Sequence, residues 1–208
     1  ITQKTAWFVL HRIREMLKDK APRMLGKDNM VETDATFIGS RNKNRHWDKK
    51  RSKKNPNLRN DGKPYNEKKV VLGIIERNGK VALKHVSGET KEEMSAFISN
   101  HVPKGAKVFS DEFRGYKTLG TQYTHKTVKH ALRVYVDGEI HTNTIENFWS
   151  LLKRGLYGIY HQVSDKHLER YLDEFAARFN NRELDSYQRI DDFLRASESP
   201  LSYKKLIH

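Results

Sequence analysis

Three acidic residues sit where their side chains could act together on a phosphate. Asp34 lies inside "VETDATFIGS", among the β-branched residues of a strand-like block, where an isolated ionised carboxylate costs several kcal/mol unless it is paired, exposed or bound to a cation. Asp111 follows the short apolar run "AKVF" in "SDEFRGY". Glu146 falls in the first turn of "TNTIENFWSLLKRGLYGIY". If they converge, these carboxylates repel one another and shift each other's pKa values unless divalent cations sit among them. Oxygen-only ligands with room for water suit Mg²⁺ or Mn²⁺ rather than zinc. Two such ions about 4 Å apart activate a water or a 3′-hydroxyl and stabilise the leaving oxygen in an in-line attack on a phosphodiester.

Taken singly, two of the three have ordinary explanations. Asp111 could cap a following helix, and Glu146 could be a first-turn acid favoured by the helix dipole; Asp34 has no such account. Lys153 lies seven residues after Glu146, two helical turns on, and so faces the same way. It could hold a DNA phosphate near the metals or sit on an exposed face. Asn143 and His141, just before the helix, are further candidates for metal or substrate contact.

The elements that must position these residues are legible from periodicity. Val9, Leu10, Ile13 and Leu17 recur at helical spacing between Thr2 and about Lys18, predicting an amphipathic helix followed by a linker. "NMVETDATFIG" reads as a strand, and "KKVVLGIIERNGKVALKHVSG" as two more joined at Asn78-Gly79. A helix opens at the capping box Thr90/Glu93 and presents Met94, Phe97, Ile98 and Val102 on one face. A fourth strand is expected over Ala106 to Phe109, and a fifth in "QYTHKTVKH". Two helices follow: one carries Ile145, Phe148 or Trp149, Leu152 and Leu156, and the other, capped by Ser164, carries Leu168, Tyr171, Leu172, Phe175 and Phe179. The order predicts an α/β fold with a mixed five-stranded sheet, three strands antiparallel and two parallel, flanked by helices. If the first and fourth strands are parallel neighbours, Asp34 and Asp111 meet near the middle of the sheet.

Composition restricts the partners. The 208 residues include 40 Lys and Arg against 26 Asp and Glu, a net charge of +14, and this favours a polyanion, with nucleic acid ahead of a membrane surface. No apolar run approaches the roughly 20 residues needed to span a bilayer, and no signal peptide pattern is present, so a cytoplasmic protein is expected. The absence of cysteine excludes disulfides, thiol catalysis and thiolate zinc sites. Much of the charge lies in a basic insertion over residues 40–69, "SRNKNRHWDKKRSKKNPNLRNDGKPYNEKK". It is too long for an ordinary strand connection. Its Lys49, Lys50, Arg51, Lys53 and Lys54 are candidate phosphate contacts, and Trp47 and Tyr65 could stack on bases. A solvated charge run is the bland alternative.

With these blocks in order, the chain resembles the DDE transposases of bacterial insertion sequences, in the ISXO-like branch. "VETDATFIG", "SDEFRGY", "HTNTIENFWSLLKRGLYGIYHQVS" and "YLDEFAARFNNR" carry the resemblance, which covers about residues 28–182. It implies an RNase H-like catalytic domain over 28–183, with Asp34, Asp111 and Glu146 as a triad holding two Mg²⁺ or Mn²⁺ ions. Lys153 would be the basic residue after the glutamate that contacts DNA, and Asn143 keeps a minority claim as third ligand. Residues 1–27 would be the remnant of a helix-turn-helix region and 184–208 a C-terminal extension. The implied partners are double-stranded DNA, as terminal inverted repeats and target, and further copies of the chain; the implied location is the bacterial cytoplasm, at the nucleoid. Two departures stand out. The cysteine-rich zinc ribbon usual before the helix-turn-helix is absent, which suggests a fragment, and Ala35 stands where relatives often have a second acid. The expected activity is hydrolysis at element ends and joining of the 3′-hydroxyl to target DNA, with Arg154 also on phosphate. The alternatives are a nuclease of the same fold that cuts without joining, and a catalytically silent DNA-binding protein.

Overall fold

The computed structural model describes residues 1–18, 24–26, 30–39, 45–62, 68–88, 90–111, 116, 119–128, 141–161, 163–195 and 204. Tyr65, proposed above to stack on bases, lies outside the described residues.

One five-stranded sheet organises the chain. Its strands are β1 (Val31–Ile38), β2 (Lys69–Glu76), β3 (Val81–Val86), β4 (Lys107–Ser110) and β5 (Thr124–Thr127), in the spatial order β3-β2-β1-β4-β5. β1, β2 and β3 pair antiparallel, and β4 runs parallel to both β1 and β5. This is the mixed five-stranded sheet expected from the sequence, three strands antiparallel and two parallel. The β2–β3 turn forms at the anticipated Asn78-Gly79, where Asn78 adopts a φ of 58° that asparagine tolerates better than most residues.

Among the described residues there are five α-helices, α1 (Gln3–Met16), α2 (Lys91–His101), α3 (Asn143–Gly155), α4 (Asp165–Asn180) and α5 (Ser186–Arg195), of which α2, α3 and α4 pack on the sheet. A π-helical turn, Leu156–Tyr160, extends α3. Strand alternation splits the core in two. Val31, Leu72 and Ile74 face α2, whose Met94, Phe97 and Ile98 are buried against them. Ile38, Val71 and Ile75 face α3 and α4, meeting Ile145, Trp149, Leu152, Leu168 and Leu172. Thr90 caps α2 as its box predicts, its hydroxyl accepting from the Glu93 amide at 3.2 Å. Ser164 occupies the N-cap of α4 but makes no side-chain capping bond.

The N-terminal helix departs from expectation. Its apolar stripe faces outward, with Val9, Leu10 and Ile13 exposed, while His11 and Arg14 are buried. α1 lies on α4 through polar and aromatic groups instead. Arg14 Nε donates to Glu174 Oε2 at 2.8 Å, its guanidinium lies 4.0 Å from the Tyr171 ring, and Arg170 bonds Glu15. Charge pairing and ring stacking, invisible to apolar periodicity, chose the docked face.

The outer border of β3 is closed by α4. The Asn180 amide both accepts from the Val81 amide and donates to its carbonyl, and Glu169 accepts from the His85 amide. Among the described residues, no helix is long and apolar enough to cross a membrane.

Candidate active site

Asp34 occupies the middle of β1, on the face covered by α3. Its partner on β2 is Gly73, and the glycine is required. A Cβ there would lie 2.5 Å from the Trp149 ring, so only glycine lets the indole settle on the sheet. In that position Trp149 Nε1 donates to Asp34 Oδ2 at 2.9 Å.

β4 brings the second acid. The parallel register pairs Val31 with Val108 and Glu32 with Phe109, and Asp111 follows directly after β4, near enough to Asp34 to raise its pKa. Glu146 enters from α3, one turn before Trp149. It is solvent-exposed, and its Oε1 accepts from the Thr142 hydroxyl at 2.8 Å.

The charges of these groups reach one another. Burial pushes the Asp34 carboxyl up to about 6; an N–H from Ala35 opposes the shift, Asp111 adds to it, Trp149 opposes it and Glu146 adds to it. Lys153 is half-buried nearby. Burial lowers its pKa, the Asp34 carboxylate raises it and Lys68 lowers it. Asp34, Asp111, Glu146 and Lys153 therefore share one electrostatic neighbourhood, although no trio of acidic or histidine side chains among the described residues is already arranged to hold a metal ion.

The sequence comparisons decide the family. The ISXO2-like transposase domain model matches residues 25–180, three quarters of the chain and all of the residues just described. The chain belongs to the ISXO2-like transposase family. A protein in the transposable element ISH50 of Halobacterium salinarum is 26% identical over 183 residues, covering 86% of this chain and 60% of that protein. A transposase-like protein of Haemophilus influenzae is 32% identical over 90 residues, covering 43% of this chain and 72% of that protein. The chain thus spans well under two thirds of the haloarchaeal relative's length. A solved simian T-cell lymphotropic virus intasome in complex with PP2A regulatory subunit B56 gamma aligns with a TM-score of 0.44 at 12% identity, over 96% of this chain and 68% of that one.

In this transposase domain one residue near the site escapes sequence reasoning. Glu32 lies two positions before Asp34 on the same face of β1 and is fully buried. Its Oε2 accepts from the amides of Thr144 and Ile145 at 2.9 and 3.0 Å, and its Oε1 accepts from the Thr144 hydroxyl at 2.9 Å and from Arg77 Nε at 2.7 Å. It therefore caps α3 from another element, a task the hydroxyl of the N-cap Thr142 does not perform. Arg77 also donates to the His141 carbonyl and lies over the Phe109 ring at 4.7 Å, joining β2, β4 and the approach to α3. The clue in the sequence was a second acid at i−2, pointing to the same side of a buried strand.

The remaining candidates are placed as follows. His141 directs Nδ1 to Glu32 Oε1 at 3.3 Å. Asn143 is exposed at the first position of α3, and Arg154 is exposed one residue beyond Lys153. Lys49, Arg51, Lys53 and Lys54 are exposed and Lys50 half-buried, on a folded part of the basic insertion.

Proposed function

We propose that this domain is the catalytic part of a DNA transposase, hydrolysing phosphodiesters at element ends and transferring the freed 3′-hydroxyl to target DNA. What supports this reading is that Asp111 and Glu146 both act on the buried Asp34 carboxyl, adding to the upward push of burial on its pKa. A pure DNA binder gains nothing from gathered negative charge facing a polyanion.

The donor set fits Mg²⁺ or Mn²⁺. All three groups are carboxylates, and their mutual repulsion is the condition a divalent cation relieves. When bound, two such ions supply an activated nucleophile and a stabilised leaving oxygen. The chain's own residues do the rest. The Trp149 indole helps to fix the Asp34 carboxylate by donating to Oδ2. Glu146, whose Oε1 accepts from the Thr142 hydroxyl, would complete the set. Lys153, near Asp34, holds a backbone phosphate, and Arg154 and the basic insertion extend that contact along the duplex, more weakly as salt rises.

The test is incubation of end-containing and supercoiled DNA with Mg²⁺. Strand cleavage followed by joined products is expected, and both are abolished by Asp34→Asn with Asp111→Asn. Cleavage that survives the double substitution overturns the triad; cleavage without joining makes the domain a nuclease.

A further inference from the structure

Residues 45–62 of the basic insertion form a small folded knuckle rather than a loose charge run. Arg51 and Arg59 form a β-bridge, the Ser52 amide bonds the Leu58 carbonyl at 2.8 Å, and the Asn60 amide bonds the Lys50 carbonyl at 2.9 Å. Trp47, Asp48 and Lys49 make a 3₁₀ turn, pinned where the Asn60 side-chain amide donates to the Trp47 carbonyl at 2.6 Å and the Asp61 amide to the Asp48 carbonyl at 3.1 Å. All of these bonds hold backbone, and none holds the indole. Trp47 is left 73% exposed, the largest side chain so displayed among the described residues.

Its surroundings are strongly cationic. The knuckle carries seven Lys and Arg against two Asp. Its root is tied to the catalytic face: Tyr157, just past Lys153 and Arg154, accepts from the Gly39 amide at 3.0 Å, and a Cβ on Gly39 would lie 3.6 Å from Lys68, so the two ends of the insertion meet there. Lys68 is in turn close enough to Lys153 to depress its pKa.

We infer that the knuckle is a binding site for an unpaired nucleotide, with Trp47 as the stacking platform and the neighbouring lysines and arginines on the flanking phosphates. A base already out of its stack offers its face to an indole at no unpairing cost, whereas a closed duplex offers only its grooves and backbone. The backbone bonds fix the main chain that carries the indole before the nucleotide arrives, so only the side chain's own rotation has to be ordered on binding. This rests on the DNA-processing function proposed above and specifies its substrate: a DNA end with frayed or forked nucleotides rather than a blunt duplex.

The experiment compares, without divalent metal, the binding of a fluorescein-labelled blunt duplex and of the same duplex with a few unpaired terminal nucleotides. The proteins are the unaltered chain, Trp47→Ala and Trp47→Phe. The unaltered chain is expected to prefer the forked DNA by roughly tenfold, as one base–indole stack supplies. Trp47→Ala is expected to bind both alike, and Trp47→Phe to recover most of the preference. Circular dichroism confirms folding, which an exposed side chain should not disturb. Equal binding of fork and duplex by the unaltered chain, or a preference that survives in Trp47→Ala, overturns the inference alone. Failure to bind either DNA removes the DNA-processing function with it.

Discussion

Asp34 stores destabilising free energy in the native state. Its carboxyl titrates near 6 in the fold against 3.8 as a free side chain. The native state therefore holds more protons than the unfolded chain across that interval, and stability falls as pH rises through it. Above pH 6 the penalty is fully present. Asp34→Asn should remove it, raising stability at pH 7 by roughly 1–3 kcal/mol while abolishing cleavage, as thermal denaturation beside the DNA assay will show. Glu32 behaves oppositely. Glu32→Gln leaves an amide where Arg77 needs a carboxylate and should destabilise the fold by about 2–4 kcal/mol. Amide exchange at Thr144 and Ile145 should accelerate beyond the global effect. Asp34, Asp111 and Glu146 stood out as candidates in the sequence because their residue types and settings already suggest chemistry. Glu32 was not, because its partners at 144 and 145 are more than a hundred residues away and join it only through the pairing of β1 with α3.

At the scale of elements, apolar rhythm found every strand and three of the helices α1 to α4 with their buried faces. It fails where polar groups do the docking. In α1 the stripe Val9, Leu10 and Ile13 faces outward because Arg14–Glu174 and the rings around His11 hold the other side. α5 was not anticipated; it buries no residue, so it has no core face to betray it. His11 makes α1 pH-sensitive. Burial lowers its pKa from 6.5 to about 4, with Arg14, His167 and Arg170 acting in the same direction and Glu174 against. The unfolded chain binds the extra proton between those values, so this contribution is complete above pH 6.5 and disappears as pH falls toward 4. It amounts to at most about 3 kcal/mol. Between pH 4 and 6 His11 and Asp34 push global stability in opposite directions. Trp7, whose ring centroid is 4.4 Å from that of His11, separates them: its fluorescence should report undocking of α1 on acidification in an Asp34→Asn background as well.

For the whole molecule, charge and topology agree. In a chain at +14, Lys153 feels both the Asp34 carboxylate and Lys68, so positive groups stand beside the buried acid of β1, as the approach of a polyanion requires. The sheet itself is asymmetric. Asn180 and Glu169 occupy three of the backbone groups that β3 would otherwise offer to a foreign strand: the amide and carbonyl of Val81 and the amide of His85. Replacing both with alanine should unmask that margin, and light scattering should then register concentration-dependent aggregation at temperatures where the unaltered chain stays dispersed. α4 thus serves as a selvedge as well as a core helix: it ties down the two ends of the β3 border, where a foreign strand would have to begin.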